Sequence, residues 1–466
     1  MKQIPILGLG INSGFPSITS QERINCYLEK QIDGEQSTIV AYGTPGKVNF
    51  NQTSANMFGA NPVRGMYSFG DYLYVVYLDN FYKVNNAGVA TLIGTIGTTE
   101  GYVSMACTGF EIFIADGTAL GKVYTIASGA FAASNAPALT TVCFMDGYIV
   151  GNQPLTGKYY WSGLYDALTW GALDFATAES NPDNLVAVFS DHGGVILFGD
   201  FTTEIIGNSP SELTPWARVG YPIEWGCVAK ASIAKLGDAV AFLARNRMGE
   251  AQVVLMSGYS PQRISTHDLE RIINDSSSLE SATAFSYMSN GHQFYQLNCA
   301  DKSFLYDLAS GVWSQVKGYG IDRDAGQYAC NLLNRTIISD YSTGKLYTLS
   351  DTVYADGDNP LVMVISGKHI FNAAERLSIS EVALEMEVGN GATTGQGTVP
   401  QVMMQYSKDG GYTWSNERWA TSGEIGKYKT LVRWTRIGSA YNITFKFTIS
   451  DPVKRGIIGA WATINA

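Results

Sequence analysis

The chain has 466 residues, 45% hydrophobic and only 15% charged, with a formal net charge of −10 at pH 7. This composition excludes a disordered chain and supplies ample core. The acidic balance excludes a whole-chain, sequence-independent DNA binder, which would neutralise phosphates with Lys and Arg.

Along the chain, Met1 to Phe15 carries one Lys and a broken apolar stretch, Ile4 to Ile11. It lacks a good apolar h-region and a small-residue cleavage site, so neither an export signal nor an anchor is expected. No apolar run reaches the roughly 18 residues that a membrane span needs, so no membrane insertion is expected, and release from a cell would be by lysis. Gly8 and Gly10 lack the βαβ context of a dinucleotide fingerprint. Residues 1–60 read as an N-terminal arm and linking strands, with residues 1 to about 40 as an extended arm that clasps a neighbour.

From Val63 a unit repeats: an apolar strand, a Gly- or Asn-containing turn, a second apolar strand, polar residues and a third strand. The turns fall at Gly70, Gly109, Gly147, Gly193, Gly237, Gly291 and Asn334, a mean step of about 44 residues, as propeller blades give. A blade cannot bury both faces alone, so neighbours must stack around a ring. The 50 Gly and 27 Tyr also favour many short strands. The expected fold is all-β: a six- or seven-bladed β-propeller over residues 61–357, with an N-terminal extended arm and a C-terminal antiparallel β-sandwich-like domain over 358–466. Helical periodicity predicts one short helix, Thr266 to Ile273. The Asp356-Gly-Asp-Asn-Pro360 cluster marks the domain boundary. Beyond it, alternation predicts strands at Ile379–Val388, Gln401–Tyr406, Lys429–Trp434, Ile443–Ile449 and Gly456–Ile464.

Cys26, Cys107, Cys143, Cys227, Cys299 and Cys330 have no CxxC spacing and read as free, mostly buried thiols of a protein made in a reducing cytoplasm. His192, His267, His292 and His369 show no zinc spacing, so no metal and no cofactor are expected. Asp322/Asp324 and Glu385/Glu387 read as solvated charges. Ser209 and Ser257 lie in no nucleophile elbow. No catalytic residue is assigned. A late basic set, Lys427, Lys429, Arg433, Arg436, Lys446, Lys454 and Arg455, is expected to line one solvated strand face.

Ser407-Lys-Asp409-Gly-Gly411-Tyr-Thr413-Trp414 fits the Asp-box pattern S-x-D-x-G-x-T-W. Asp409 can accept turn N–H groups, Gly411 can take positive φ, and Trp414 is expected to return into the core. The box is similar to those of sialidases, where it is structural. It therefore predicts a hairpin rather than a glycosidase.

Glu22-Arg23-Ile24-Asn25-Cys26-Tyr27-Leu28-Glu29, followed by Gly43-Thr44-Pro45-Gly46, resembles the opening of the packaged DNA stabilisation proteins of short-tailed bacteriophages. Cys26 and Leu28 depart from the commoner residues there. At the other end, Ser407 to Trp414, Gly426-Lys-Tyr428, Arg433-Trp434, Arg436-Ile-Gly438 and Thr448-Ile-Ser-Asp451-Pro452-Val453 resemble that family's close. Arg23, Asn25, Tyr27, Glu29, Gly43, Pro45, Gly46, Asp451 and Pro452 are the motif positions. The resemblance implies a non-enzymatic virion protein of the tail, assembled in the host cytoplasm. It implies a hub or nozzle subunit in a homohexameric ring beneath the portal and its head-to-tail adaptor. Such a ring closes the channel after packaging, offers sites for a tail needle, tail fibres or tailspikes, and passes genomic DNA through its lumen without sequence-specific binding. An acidic wall would suit that passage. Two alternatives are a propeller glycosidase and a receptor-binding propeller, both directed at host surface glycan.

Overall fold

A computed structural model describes residues 1–8, 21–33, 36–50, 57–178, 182–209, 215–371 and 375–465. The chain builds a seven-bladed β-propeller joined to a β-sandwich. Six blades are consecutive antiparallel sheets spanning 63–95, 104–133, 142–177, 185–223, 226–263 and 283–316. The seventh takes three strands from 326–350 and its fourth, Gly46–Asn49, from the N-terminal side of the ring. The first propeller strand in the chain thus closes the last blade, and the inner strand of blade seven packs beside that of blade one.

The predicted turns are the inner hairpins of all seven blades. Such tight turns need positive φ, which glycine adopts without a Cβ clash. Gly70 stands at φ 57°, Gly109 at 97°, Gly147 at 90°, Gly193 at 76°, Gly237 at 61°, Gly291 at 82° and Asn334 at 64°. Outside the turns, the second strands of blades one and four, Tyr72–Tyr77 and Gly194–Gly199, are apolar on both faces, because neighbouring blades cover both sides.

Each blade–blade interface holds its own hydrophobic cluster, and these total seven. The one that closes the ring sets Leu332, Ile337 and Leu346 against Val63, Leu73 and Val75. Phe81, Phe113, Phe198, Phe242, Phe294 and Phe304 are buried to within 1%. Each such ring stabilises by about 2–3 kcal/mol, so the wedges are held by area rather than by ion pairs. The helix is His267–Asn274, capped by Thr266, and it sends Leu269 and Ile273 into the cluster between blades five and six.

An eighth cluster fills the sandwich. One of its sheets runs in the order Cys26–Asp33, Gln36–Gly43, Gly456–Asn465, Leu377–Met386, Val432–Ala440, and Lys2–Ile4 also pairs with Gly456–Asn465. The other joins Met363–Ser366, Asn442–Ile449, Gln401–Ser407 and Arg418–Thr421. Half of the first sheet's strands therefore come from the N-terminal stretch. The described parts of the expected arm do not reach outward: Lys2, Gln3 and Ile4 pair with Ala462, Trp461 and Ala460 of the same chain. Residues 9–20, 34 and 35 of the expected arm lie outside the described residues. The boundary cluster is a small hairpin, Ala355–Asp356 against Asn359–Pro360, attached to the closing strand through Asp356 and Lys47.

Candidate functional site at the propeller–sandwich seam

The N-terminal motif residues converge where the sandwich meets blades six and seven. Ile24 pairs in parallel with Gln315, on the outer strand of blade six, and antiparallel with Val364 of the sandwich. The two-residue strand Arg23–Ile24 therefore welds blade six and one sandwich sheet into a single ten-stranded sheet. Backbone pairing on both sides of this short strand ties the two bodies together.

Side chains reinforce the weld. Arg23 is buried, donating from Nη2 to the Trp313 carbonyl at 2.7 Å and from Nη1 to the Gly8 carbonyl, and burial lowers its pKa. Next to it, Glu22 meets Lys446 at 3.0 Å. Asn25 sits at φ 53°, a left-handed conformation that Asn tolerates better than most residues. Its Nδ2 donates to the carbonyls of Lys317 (3.0 Å) and Val362 (2.9 Å), and its Oδ1 accepts from Lys317 N at 2.9 Å. One side chain thus stitches the exit of blade six to the entrance of the sandwich. Tyr27 fills the cluster between blades six and seven, its ring 4.9 Å from His292 and 5.1 Å from Phe294. Glu29 lies 3.7 Å from His292 Nε2, and His292 Nδ1 meets Asp307 at 3.0 Å.

Gly43 donates its N–H to the Arg455 carbonyl at 3.2 Å. Pro45 is buried, and at Gly46 a Cβ would stand 2.2 Å from the Val353 carbonyl oxygen, so only glycine fits. Asp451 accepts from Gln401 N at 2.8 Å, while Pro452 packs beside Gly397. These two shape the turn that delivers Arg455 into the seam. Arg455 is 2% exposed and bonds the carbonyls of Leu361 and Tyr354, with burial lowering its pKa to about 10. Beside it, burial pushes the Cys26 thiol up to about 12, which leaves it inert. All six cysteines are free, and five are buried.

A buried charge cluster, invisible to the sequence reading, locks the closing strand. Lys47 pairs with Asp324, between blades six and seven, and with Asp356 Oδ1 at 3.1 Å. Burial works against the Lys47 charge, but the two carboxylates outweigh it and hold its pKa above the ordinary value. Asp324 also accepts from Gln296 Nε2 at 2.9 Å and Gly326 N at 2.7 Å. Burial would raise its pKa, but Lys47 and these donors bring it below the usual carboxylate value. The only signal for this cluster was a Lys directly after Gly43-Thr-Pro-Gly46. Asp324 is therefore not the solvated charge expected. It leaves Asp322 outside, 2.8 Å from Lys317, and neither lies on a strand.

The Asp-box residues form their turn after Gln401–Ser407, in the sandwich and away from the blades. Asp409 accepts from Ser407 Oγ at 2.7 Å, Thr413 N at 3.0 Å and Thr413 Oγ1 at 2.5 Å, and Gly411 N donates to Ser407 Oγ at 2.8 Å. These bonds to Thr413 and Ser407 lower the Asp409 pKa to about 2. Gly411 has φ 91°. Trp414 does not enter the core. It is half-buried under Lys446, whose ammonium lies 4.1 Å from the ring centroid, because the turn ends at the rim of the sheet. Nor do the late basic residues share a face. Arg433 and Arg436 lie on one sandwich sheet and Lys446 on the other, Arg455 is buried, and Lys427, Arg433 and Lys454 pair with Glu424, Glu381 and Glu387. Among the described residues, no group of three or more His, Cys, Asp or Glu is placed to hold a metal ion.

Two family models match the chain: Bacteriophage P22 Gp10, beta-propeller, over residues 45–354, and Bacteriophage P22 Gp10, beta-sandwich, over residues 363–465. The chain belongs to the P22 Gp10 family. This is the packaged DNA stabilisation family to which both termini pointed, a family of structural phage tail proteins. No curated protein matches the chain. The Gp10 propeller match begins at Pro45, the residue before the strand that closes blade seven. The sandwich match begins at Met363, so the N-terminal strands that complete the Gp10-type sandwich here lie outside it. What the seam does is structural: it joins propeller and sandwich through shared strands and buried side-chain bonds.

Proposed function

We propose that the chain is a hub or nozzle subunit of a short phage tail. In this reading it closes the DNA channel after packaging, retains the genome and forms the conduit for its ejection. The observation that carries the proposal is the continuous sheet through Ile24, together with membership of a structural phage tail family. A plug under genome pressure needs stiffness in each subunit, and a sheet running from blade six to the sandwich edge supplies it. The net charge of −10 also suits a wall past which DNA moves, because it does not grip phosphates.

Six copies would form a closed cyclic ring beneath the portal and adaptor, since head-to-tail contacts generate rings when the rotation closes. The ring would carry a needle, fibres or spikes and would reside in the virion tail after assembly in the host cytoplasm. The enzymatic alternative has less support. Arg64, which lines a cavity on the propeller axis, spends its guanidinium on the carbonyls of Leu78, Thr98, Glu100 and Gly101 and has no hand free for a sugar acid.

The test is assembly on purified portal–adaptor complexes, followed by electron microscopy of the mixture. The expected result is a ring of six subunits below the adaptor. A chain that stays monomeric and leaves the adaptor bare would overturn the proposal, and release of sugar from host glycan would favour the enzyme.

A further inference from the structure

The propeller axis is not filled. Inner strands of all seven blades surround a cavity of about 370 Å³. Each inner strand is the edge of its blade and bonds to its neighbours around the axis, as Val103 N does to the Arg64 carbonyl, Val142 N to Ser104 Oγ and Val188 N to Thr141 Oγ1. A second cavity, about 540 Å³, adjoins it on the side where the inner strands of blades one, two, six and seven begin. Tyr102, Lys230, Ala231 and Tyr328 line both, and so form the neck between them.

The neck holds an ammonium group without an anion. Lys230 Nζ lies 5.9 Å from the Tyr102 ring centroid, and among the described residues it makes no hydrogen bond or ion pair. The other lysine on the cavity, Lys235, is already neutralised by Asp191 at 2.6 Å. Burial lowers the Lys230 pKa, and no carboxylate offsets it. A half-buried, unpaired cation is costly unless something neutralises it. The Tyr102 and Tyr328 rings meet at 5.7 Å between centroids, tilted by 49°. The Tyr328 hydroxyl accepts from Gln327 Nε2 at 3.4 Å, which leaves its own proton to donate.

We propose that the axial neck binds a small monocarboxylate, one oxygen on Lys230 Nζ and the other on the Tyr328 hydroxyl. One cation matches one negative charge. Glu100 and Glu280, exposed at the outer cavity, disfavour polyanions such as nucleic acid or polyphosphate. The inner cavity of about 370 Å³ beyond the neck has room for a short carbon chain.

The test uses the full chain and sodium acetate and sodium lactate as probes, titrated calorimetrically at ionic strength held constant with NaCl. The expected result is saturable binding that weakens at least about tenfold in Lys230→Met, the worth of one charge-assisted hydrogen bond, and is kept in Lys230→Arg. Sodium phosphate should bind more weakly than either carboxylate. Crystals of the unmodified protein soaked in sodium lactate supply a measurement independent of variant folding, with carboxylate difference density expected at the neck. Non-saturating heats, equal affinity in Lys230→Met, stronger binding of phosphate, or lactate density only elsewhere would each overturn the proposal.

Discussion

Lys47 and Asp356 meet at 3.1 Å, and through that contact the strand that closes blade seven is tied to the hairpin leading into the sandwich. Asp324 brings the loop between blades six and seven to the same ammonium. Ring closure and the connection to the sandwich thus share one buried cation. Removing one partner from such a cluster leaves uncompensated charge, which costs more than the pairing itself contributes.

Lys47→Met should accordingly destabilise the chain by about 3–5 kcal/mol. Urea unfolding followed by tryptophan fluorescence would measure this. The triple variant Lys47→Met, Asp324→Asn, Asp356→Asn should recover a large part of the loss, because no buried charge then lacks a partner. A single variant as stable as the parent would show that the closing strand is held by other means.

Gly46→Ala should block the same closure sterically. Its Cβ would stand 2.2 Å from the Val353 carbonyl oxygen and 2.7 Å from that of Ala355, both backbone atoms that cannot rotate away. Overpacking of this kind costs about 3 kcal/mol. Gly70→Ala is the control: φ is 57° there but nothing lies within 4 Å, so the cost should be only the left-handed strain of about 1 kcal/mol. Thermal unfolding of the pair should place Gly46→Ala well below Gly70→Ala.

Asp409 gives a pH dependence of defined sign. Its folded pKa of about 2 lies below that of an unfolded carboxyl, so its support for the turn is complete above pH about 4 and is lost as pH falls through about 2. Hydrogen exchange at the Thr413 amide, which donates to this carboxylate, should quicken across that window relative to other turn amides. In Asp409→Ala the same amide should exchange fast at every pH, while the propeller unfolds as before. Unchanged protection at Thr413 would contradict the assignment.

The blade rhythm was legible because each inner hairpin leaves a local mark: a tight turn needs positive φ, and the chain writes Gly or Asn at 70, 109, 147, 193, 237, 291 and 334. The strand Gly46–Asn49 leaves no such mark, because what makes it a strand is Leu346–Ser350, some three hundred residues away. Lys2–Ile4 is hidden for the same reason, since its partner is the last strand of the chain. The motif residues Arg23, Asn25 and Gly46 were singled out by resemblance alone. Their work, bonding carbonyls of Trp313, Lys317 and Val362 or passing under Val353, depends on contacts between distant parts of the chain. Lys47 looked like any surface lysine, since nothing local says that Asp324 and Asp356 will surround it. Trp414 stays out of the core because its position at the end of a turn outweighs its residue type.

Genome retention is the most direct test of the account. In a phage carrying a stop codon in this gene, heads that have completed packaging should lose their DNA after cell lysis, measured as a fall in nuclease-resistant genome against parental particles, and the chain expressed from a plasmid in the same host should restore retention. Mutant heads that keep a full, nuclease-resistant genome without the protein would contradict the claim that it seals the channel.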